Sequence, residues 1–279
     1  MAMSANGALA NRDKAASHGI PRKRTKRGAA YYEIGSGEPL ILIHGVGLRI
    51  EAWSEQLPVL SKTHRLIAVD MPGHGESAPI AIGSQLPDFV AWLRDFFEDM
   101  ELAAANVAGH SMGALIAGGA AASLGAKILR VACLNGVFCR SPAAKAAVLA
   151  RAAAIPGEGV DVDGPLQRWF GDEGDYGEAR AQTRHWLSQV DRMSYATAYG
   201  AFAGGDSIYA DAWPNVRCPA LFLTGEGDPN STPQMAKDMA ALAPNSMLRI
   251  IPGHRHMVPL TAPDLVNGIM KEWLERPLA

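Results

Sequence analysis

The sequence predicts an α/β fold, a parallel β-sheet with helices on both faces, interrupted by a purely helical insertion. Three observations predict it. Short, fully apolar runs such as LILIHG, HRLIAVD and ILRVACLNG have the length and composition of strands buried on both faces. Between them lie segments whose apolar residues recur at helical spacing, as in LPDFVAWLRDFFEDM. From Arg140 to Trp213 this alternation stops, and helical patterns follow one another with no strand between them.

In order along the chain, YYEI reads as a first strand, GSGEP as a turn and LILIHG as a buried strand. A helix is expected from Ala52 to Leu60, then the strand HRLIAVD, which ends in Asp70 and a PGHG turn, then the helix LPDFVAWLRDFFEDM with a proline near its start. NVAGH is a strand running into GHSMG, MGALIAGGAAASL a helix of small residues and ILRVACLNG another buried strand. In the insertion, AAKAAVLARAAA, LQRWF, ARAQTRHWLSQV and YATAYGAFA read as helices. Alternation resumes with the strand CPALFLTG, the helix PQMAKDMAALA, the strand MLRIIPG and a closing helix from Pro263 to Leu274. The expected organisation is a core of residues 29–139 and 214–279 and a helical cap over 140–213.

Composition bounds what such a chain does. With 279 residues, 48% hydrophobic and 19% charged, it suits one large globular domain with an insertion. A net charge of -2 and a pI near 6.4 supply no general attraction to nucleic acid or to anionic membrane, so neither is expected as a partner. The local exception is the run RKRTKR, Arg22 to Arg27, read as a solvated basic segment; residues 1–28 are expected to be a disordered leader that contributes nothing to the fold. That leader lacks a signal peptide's apolar core, and no stretch reaches the roughly 18 apolar residues of a membrane span. Cys133, Cys139 and Cys218 are odd in number and widely spaced, which suits neither a disulfide framework nor a metal-ligand pair. A cytoplasmic protein is expected. The oligomeric state is open, a homo-oligomer included.

Chemistry concentrates at GHSMG, residues 109 to 113. A GxSxG pattern is weak evidence in a chain with 29 glycines, so its surroundings decide. Ser111 falls at a strand-to-helix junction, where the sharp turn puts a hydroxyl at the sheet edge and glycines at 109 and 113 avoid collision. A hydroxyl needs a base, and PGHRHMVPL after the last strand offers His256, favoured over His254. The base needs an orienting carboxylate, and TGEGDPN offers Asp228, with Glu226 the weaker candidate. The order Ser, Asp, His along the chain is that of the triad on this kind of fold. An oxyanion hole is expected from the backbone N–H groups of Met112 and of Val46, in the glycine-flanked HGVG. His44, His74 and His110 read as turn or packing residues.

Taken together, HGVG, DMPGHGES, GHSMG, TGEGDPN and GHRHMVPL, in this order from about Ala30 to Leu274, resemble the α/β-hydrolase superfamily. The resemblance implies an eight-stranded, mostly parallel sheet, a cap over the active site, no metal and no organic cofactor. Members with an aspartate nucleophile are disfavoured by the serine at 111, and GHRHM departs from the small residue and glycine that commonly precede the histidine.

Fold and triad specify only attack on a carbonyl. Arg49, directly after the oxyanion loop, and Arg140, after the strand ending LNG, stand where a ligand arrives, and guanidinium forks bind carboxylates; a small anionic substrate follows as an expectation. The wording HGVGLR, DMPGHGES, LNGV and TGEGDPNSTP is similar to a group of hydrolases from bacterial N-heterocycle degradation, which act on enamide diacids such as (E)-2-((N-methylformamido)methylene)succinate. A general carboxylesterase or lactonase, a carbon–carbon hydrolase of ring-fission products and a non-catalytic ligand receptor stay open as alternatives.

Overall fold

The computed structural model describes residues 20–172 and 176–278. Among them eight strands form one sheet: β1 (Lys23–Arg24), β2 (Ala30–Ile34), β3 (Pro39–Ile43), β4 (Arg65–Val69), β5 (Ala105–His110), β6 (Ile128–Leu134), β7 (Ala220–Gly225) and β8 (Ser246–Ile251). Their spatial order is β1-β2-β4-β3-β5-β6-β7-β8. β1 and β2 pair antiparallel at one edge, and every pairing from β4 through β3 to β8 is parallel. The sheet is therefore mostly parallel, as the apolar runs predict.

Burial on both faces explains why the central strands are apolar throughout. Leu40 and Leu42 point into one layer, where Leu57 and Leu60 of helix α1 (Leu57–Leu60) and Val266, Met270 and Trp273 pack. Ile41 and Ile43 point into the other, against Phe89, Leu93 and Phe97 of helix α2 (Leu86–Asp99) and Ile116 and Ala117 of helix α3 (Met112–Ser123). The single helix expected over Ala52 to Leu60 is corrected to a 3₁₀ turn, Ile50–Trp53, followed by the short α1. The Ile50 N–H goes to Asp70 Oδ1 at 2.9 Å and Pro58 lies in the first turn of α1, so two separate starts replace one continuous helix.

Between β6 and β7 every described element is helical: α4 (Pro142–Glu158), α5 (Asp163–Phe170), α6 (Gly177–Gln189), α7 (Arg192–Gly205) and a 3₁₀ turn, Ala210–Asn215. This layer touches the loops at the carboxyl edge of the sheet. A Cβ on Gly47 would lie 2.4 Å from Leu187 and 2.9 Å from Tyr195, and one on Gly73 would lie 2.4 Å from Ser194. Helices α8 (Pro233–Leu242), α9 (Val258–Thr261) and α10 (Pro263–Leu274) complete the two flanking layers. No helix among the described residues is long and apolar enough to cross a membrane.

The expected disordered leader over residues 1–28 is corrected for residues 20–28; residues 1–19 lie outside the described residues. β1 falls within the basic run; Lys23, Arg24 and Arg27 keep more than half of their side chains exposed, as a solvated segment would, while pairing with nearby carboxylates, and the expectation is corrected for Arg22. Lys23 meets Glu33, Arg24 meets Glu76 and Arg27 meets Asp99 and Glu98. Arg22 is 1% exposed at its side chain and bridges Glu51 and Asp70. Burial disfavours the Glu51 carboxylate, but the hydrogen bonds and charge of Arg22 outweigh it and hold the group down at about 2.

Strand order places the site. From β3 the chain passes to β4 on one side and later to β5 on the other, and the crevice of an open parallel sheet lies outside the carboxyl ends of the strands where the order reverses. The loop 44–49 and Ser111 follow β3 and β5.

Packing at the β5–α3 turn leaves no room for side chains. A Cβ on Gly109 would stand 1.9 Å from the Gly113 carbonyl oxygen, and one on Gly113 would stand 2.1 Å from that of Ile43. Gly109→Ala is expected to cost more than about 3 kcal/mol in urea denaturation, whereas Gly200→Ala, in α7 with nothing within 4 Å, should gain about 0.5–1 kcal/mol. Equal effects would contradict this account of the turn.

Candidate active site

Ser111 sits between β5 and α3 with φ 56° and ψ -114°, a strained conformation for a residue with a side chain. Three backbone bonds hold it there: the Ser111 N–H donates to Leu134 O at 2.9 Å, and the Ser111 carbonyl accepts the N–H groups of Ala114 at 3.0 Å and Leu115 at 3.3 Å. The hydroxyl is left at the sheet edge, 7% of the residue exposed, with no hydrogen bond to a protein group among the described residues. As the residue preceding α3, it lies at the positive end of that helix.

The loop after β3 lies directly against it. A Cβ on Gly45 would stand 3.0 Å from Ser111 Cβ, so the HGVG backbone approaches the serine with nothing between. His44 fixes the shape of this loop. Its Nε2 accepts the Met71 N–H at 2.9 Å, so Nδ1 carries the proton and donates to Gly45 O at 2.7 Å. Gly45 O also accepts the Leu48 N–H at 3.2 Å. Because C=O and N–H point oppositely across a trans peptide, the Val46 N–H is turned away from His44. Neither the Val46 nor the Met112 N–H finds an acceptor among the described residues.

Asp228 and His256 meet at 2.7 Å, both 2% exposed. Since Nδ1 donates to the carboxylate, Nε2 keeps its lone pair and is the basic nitrogen. Three further donors reach Asp228: Asn135 Nδ2 at 2.8 Å and the N–H groups of Asn230 at 2.8 Å and Ser231 at 3.1 Å. Burial pushes its pKa up, but His256 and these donors outweigh burial and hold the carboxyl below its ordinary value. The competing residues lie elsewhere. Glu226 is exposed and takes the Gly253 N–H at 3.3 Å, and His254 contacts Thr261 and Tyr176.

His256 is also held by its backbone and its ring face. His110 Nε2 donates to His256 O at 2.8 Å, and the His256 N–H donates to Trp169 O at 3.2 Å. The Trp169 indole, from α5, stacks on the imidazole with centroids 5.6 Å apart. Sequence reasoning missed Asn135, and it read Trp169 only as part of the apolar lining of the cap, not as a partner of His256. Asn135 takes a positive φ of 48° at the end of β6, and its place in LNG at a strand's carboxyl edge was the available signal. Nothing in the sequence singles out Trp169 from the other aromatic residues of the helical layer.

The two candidate arginines share no partner. Arg49 donates Nε to Glu51 at 3.0 Å and lines a cavity of about 140 Å³ with Gly47, Gly75, Trp186 and Gln189. Arg140 is buried at the end of α7, where Nη1 reaches the carbonyls of Phe202 and Ala203 and lies 3.7 Å from Asp206. Its guanidinium covers the Phe202 ring, and Nη2 is buried without a partner. A second cavity, about 20 Å³ beside Ala114, Cys133 and Trp213, has room for a water molecule and no more.

Burial pushes His44 and His110 down to about 3, with a neighbouring imidazole adding to it in each case. An unfolded histidine binds its proton near pH 6.5, so between pH 6.5 and 3 the unfolded chain takes up protons that the folded one refuses. Stability is therefore full above about pH 6.5 and falls on acidification, by up to about 1.4 kcal/mol per pH unit for each histidine. Urea midpoints measured at pH 7.5, 6.5, 5.5 and 4.5 should be level between the first two and drop thereafter. A flat series would contradict the neutral burial of both rings.

Residues 40–269 match the model of the alpha/beta hydrolase family. The chain is 47% identical over 249 residues to the (E)-2-((N-methylformamido)methylene)succinate hydrolase of Acinetobacter baylyi, covering 89% of this chain and 95% of that protein. Among solved structures it is similar to a thermophilic esterase from Thermogutta terrifontis, malate bound, with TM-score 0.82, 24% identity and 91% and 98% of the two chains covered. The enol-lactonase of Burkholderia xenovorans gives TM-score 0.82 at 24% identity, over 92% and 100%. Matched by a family model across most of its length and by a relative over nearly all of that relative, the chain belongs to the alpha/beta hydrolase family and is an enzyme of the hydrolase class.

Proposed function

We propose that the chain is a serine hydrolase in which Ser111, His256 and Asp228 form the catalytic triad. The buried 2.7 Å hydrogen bond between Asp228 and His256, which leaves Nε2 basic at the carboxyl edge of the sheet, is the observation that carries this reading. Ser111 Oγ attacks a carbonyl carbon while His256 Nε2 takes its proton. The oxygen that becomes negative is met by the free N–H groups of Val46 and Met112. His256 returns the proton to the departing group, and a water molecule, deprotonated by the same nitrogen, then releases the acyl group from Ser111. Asp228 keeps the proton on Nδ1 and offsets the charge of the imidazolium.

For the substrate, the proposal is a small carboxylate-bearing compound, with an enamide diacid such as (E)-2-((N-methylformamido)methylene)succinate the best candidate. Support comes from the 47% identical relative of that name, matched over 95% of its length. It comes also from spare donors on the two arginines. A guanidinium has five N–H groups, and Nη2 of Arg140 and both Nη atoms of Arg49 have no protein partner among the described residues. Those arms are read as the ligands of the substrate carboxylates.

Loss of conjugated ultraviolet absorbance from the enamide diacid tests the proposal, run beside its dimethyl ester. Fast loss with the diacid, slow loss with the diester and a fall of about 10⁴-fold or more in Ser111→Ala are the expected results. Turnover by Ser111→Ala within tenfold of the wild-type rate would overturn the serine mechanism. Equal or faster turnover of the neutral diester would overturn the anionic substrate and leave a general esterase.

A further inference from the structure

Arg22 has no part in the chemistry above, yet it is a buried cation with carboxylate partners on two loops at the carboxyl edge of the sheet. Its Nη1 and Nη2 each meet Glu51 at 2.6 Å, and its Nε meets Asp70 at 3.0 Å, so one guanidinium joins the loops after β3 and β4. Asp70 in turn takes the N–H groups of Ile50 at 2.9 Å and Glu76 at 3.0 Å. Glu51 stands between two arginines, because its Oε2 also accepts Arg49 Nε at 3.0 Å. The shorter pair of bonds belongs to Arg22, which is 1% exposed, and the single longer bond to Arg49, which is 25% exposed.

This unequal sharing decides what Arg49 presents. A carboxylate and a guanidinium left to themselves pair through two parallel bonds. Arg22 occupies both Glu51 oxygens in that manner, so Arg49 is held by Nε alone and its two Nη groups stay unpaired beside the 140 Å³ cavity. That volume has room for a carboxylate group beside Arg49. Gly47, on its wall, is the residue after Val46, so an anion bound there lies just beyond the N–H read as an oxyanion donor.

We propose that Arg22 is a positioning residue for anion binding: by occupying Glu51 it keeps the Nη edge of Arg49 open to one carboxylate of the substrate. The inference rests on the reading of Arg49 as a carboxylate ligand. Without Arg22, Glu51 has Arg49 as its remaining cationic partner and draws that fork onto itself, which closes the subsite and cancels its charge.

Calorimetric titration with succinate tests this on the full chain and needs no turnover. Arg49→Met and Arg22→Gln are each expected to weaken succinate about tenfold, the loss of one charge-assisted contact. The double variant Arg22→Gln/Glu51→Gln removes the competing carboxylate as well and should return to within threefold of wild type. Glu51→Gln alone leaves Arg22 on Asp70, keeps the fold intact if the Arg22 variant does not, and should bind succinate two- to fivefold more tightly. Failure of the wild-type protein to bind succinate, wild-type affinity in Arg22→Gln, no recovery in the double variant or weaker binding in Glu51→Gln would each overturn the proposal. Succinate behaviour as expected together with turnover indifferent to Ser111→Ala would instead overturn the serine mechanism and leave the role of Arg22 standing.

Discussion

Backbone meets backbone at the centre of this molecule, and the arrangement of the site depends on that contact. Gly113 lies against the carbonyls of Ile43 and His44, and Gly109 against the carbonyl of Gly113, at distances that no Cβ tolerates. The end of β3 therefore meets, with nothing between, the turn some 65 residues later where the end of β5 passes into the first turn of α3. The meeting brings the HGVG loop against Ser111 and forces the serine into its positive φ. The strain is sustained because the β5–β6 ladder on one side and α3 on the other leave the residue no relaxed alternative.

Around this contact polar groups are buried with partners, and the partners come from far along the chain. Asp228 is met by Asn135 and His256, and His256 by His110 and Trp169. A carboxylate with four donors stays ionised in spite of its burial, and an imidazole held at Nδ1, at both ends of its backbone and on one face has one free nitrogen. Histidine plays opposite parts within a few ångströms. His44 and His110 are driven neutral by burial and act as fixed donors, so His110, with its ring centroid 5.0 Å from that of His256, sets no charge beside it.

Much of this was legible in the sequence. Continuous apolar runs mark strands buried on both sides, and Asp228 and His256 follow the strands whose carboxyl ends place them together. What could not be read depends on contacts with no local signal. The helix expected over Ala52 to Leu60 splits because Asp70, from another strand, captures the Ile50 N–H. Within the basic run, the burial of Arg22 had no local signal because its carboxylate partners lie 29 and 48 positions away, in loops that only the folded sheet brings near. Asn135 and Trp169 belong to the same class, since their importance lies in what they touch.

The attachment of His256 to Trp169 ties the helical layer to the sheet at one particular residue. α5 holds the imidazole by a stacked ring and by a main-chain hydrogen bond. Any outward swing of that helix must break both or drag the imidazole with it. In the mechanism proposed above, cover and support of the base are therefore one contact: the helix that walls this side of the imidazole is also the one that braces it.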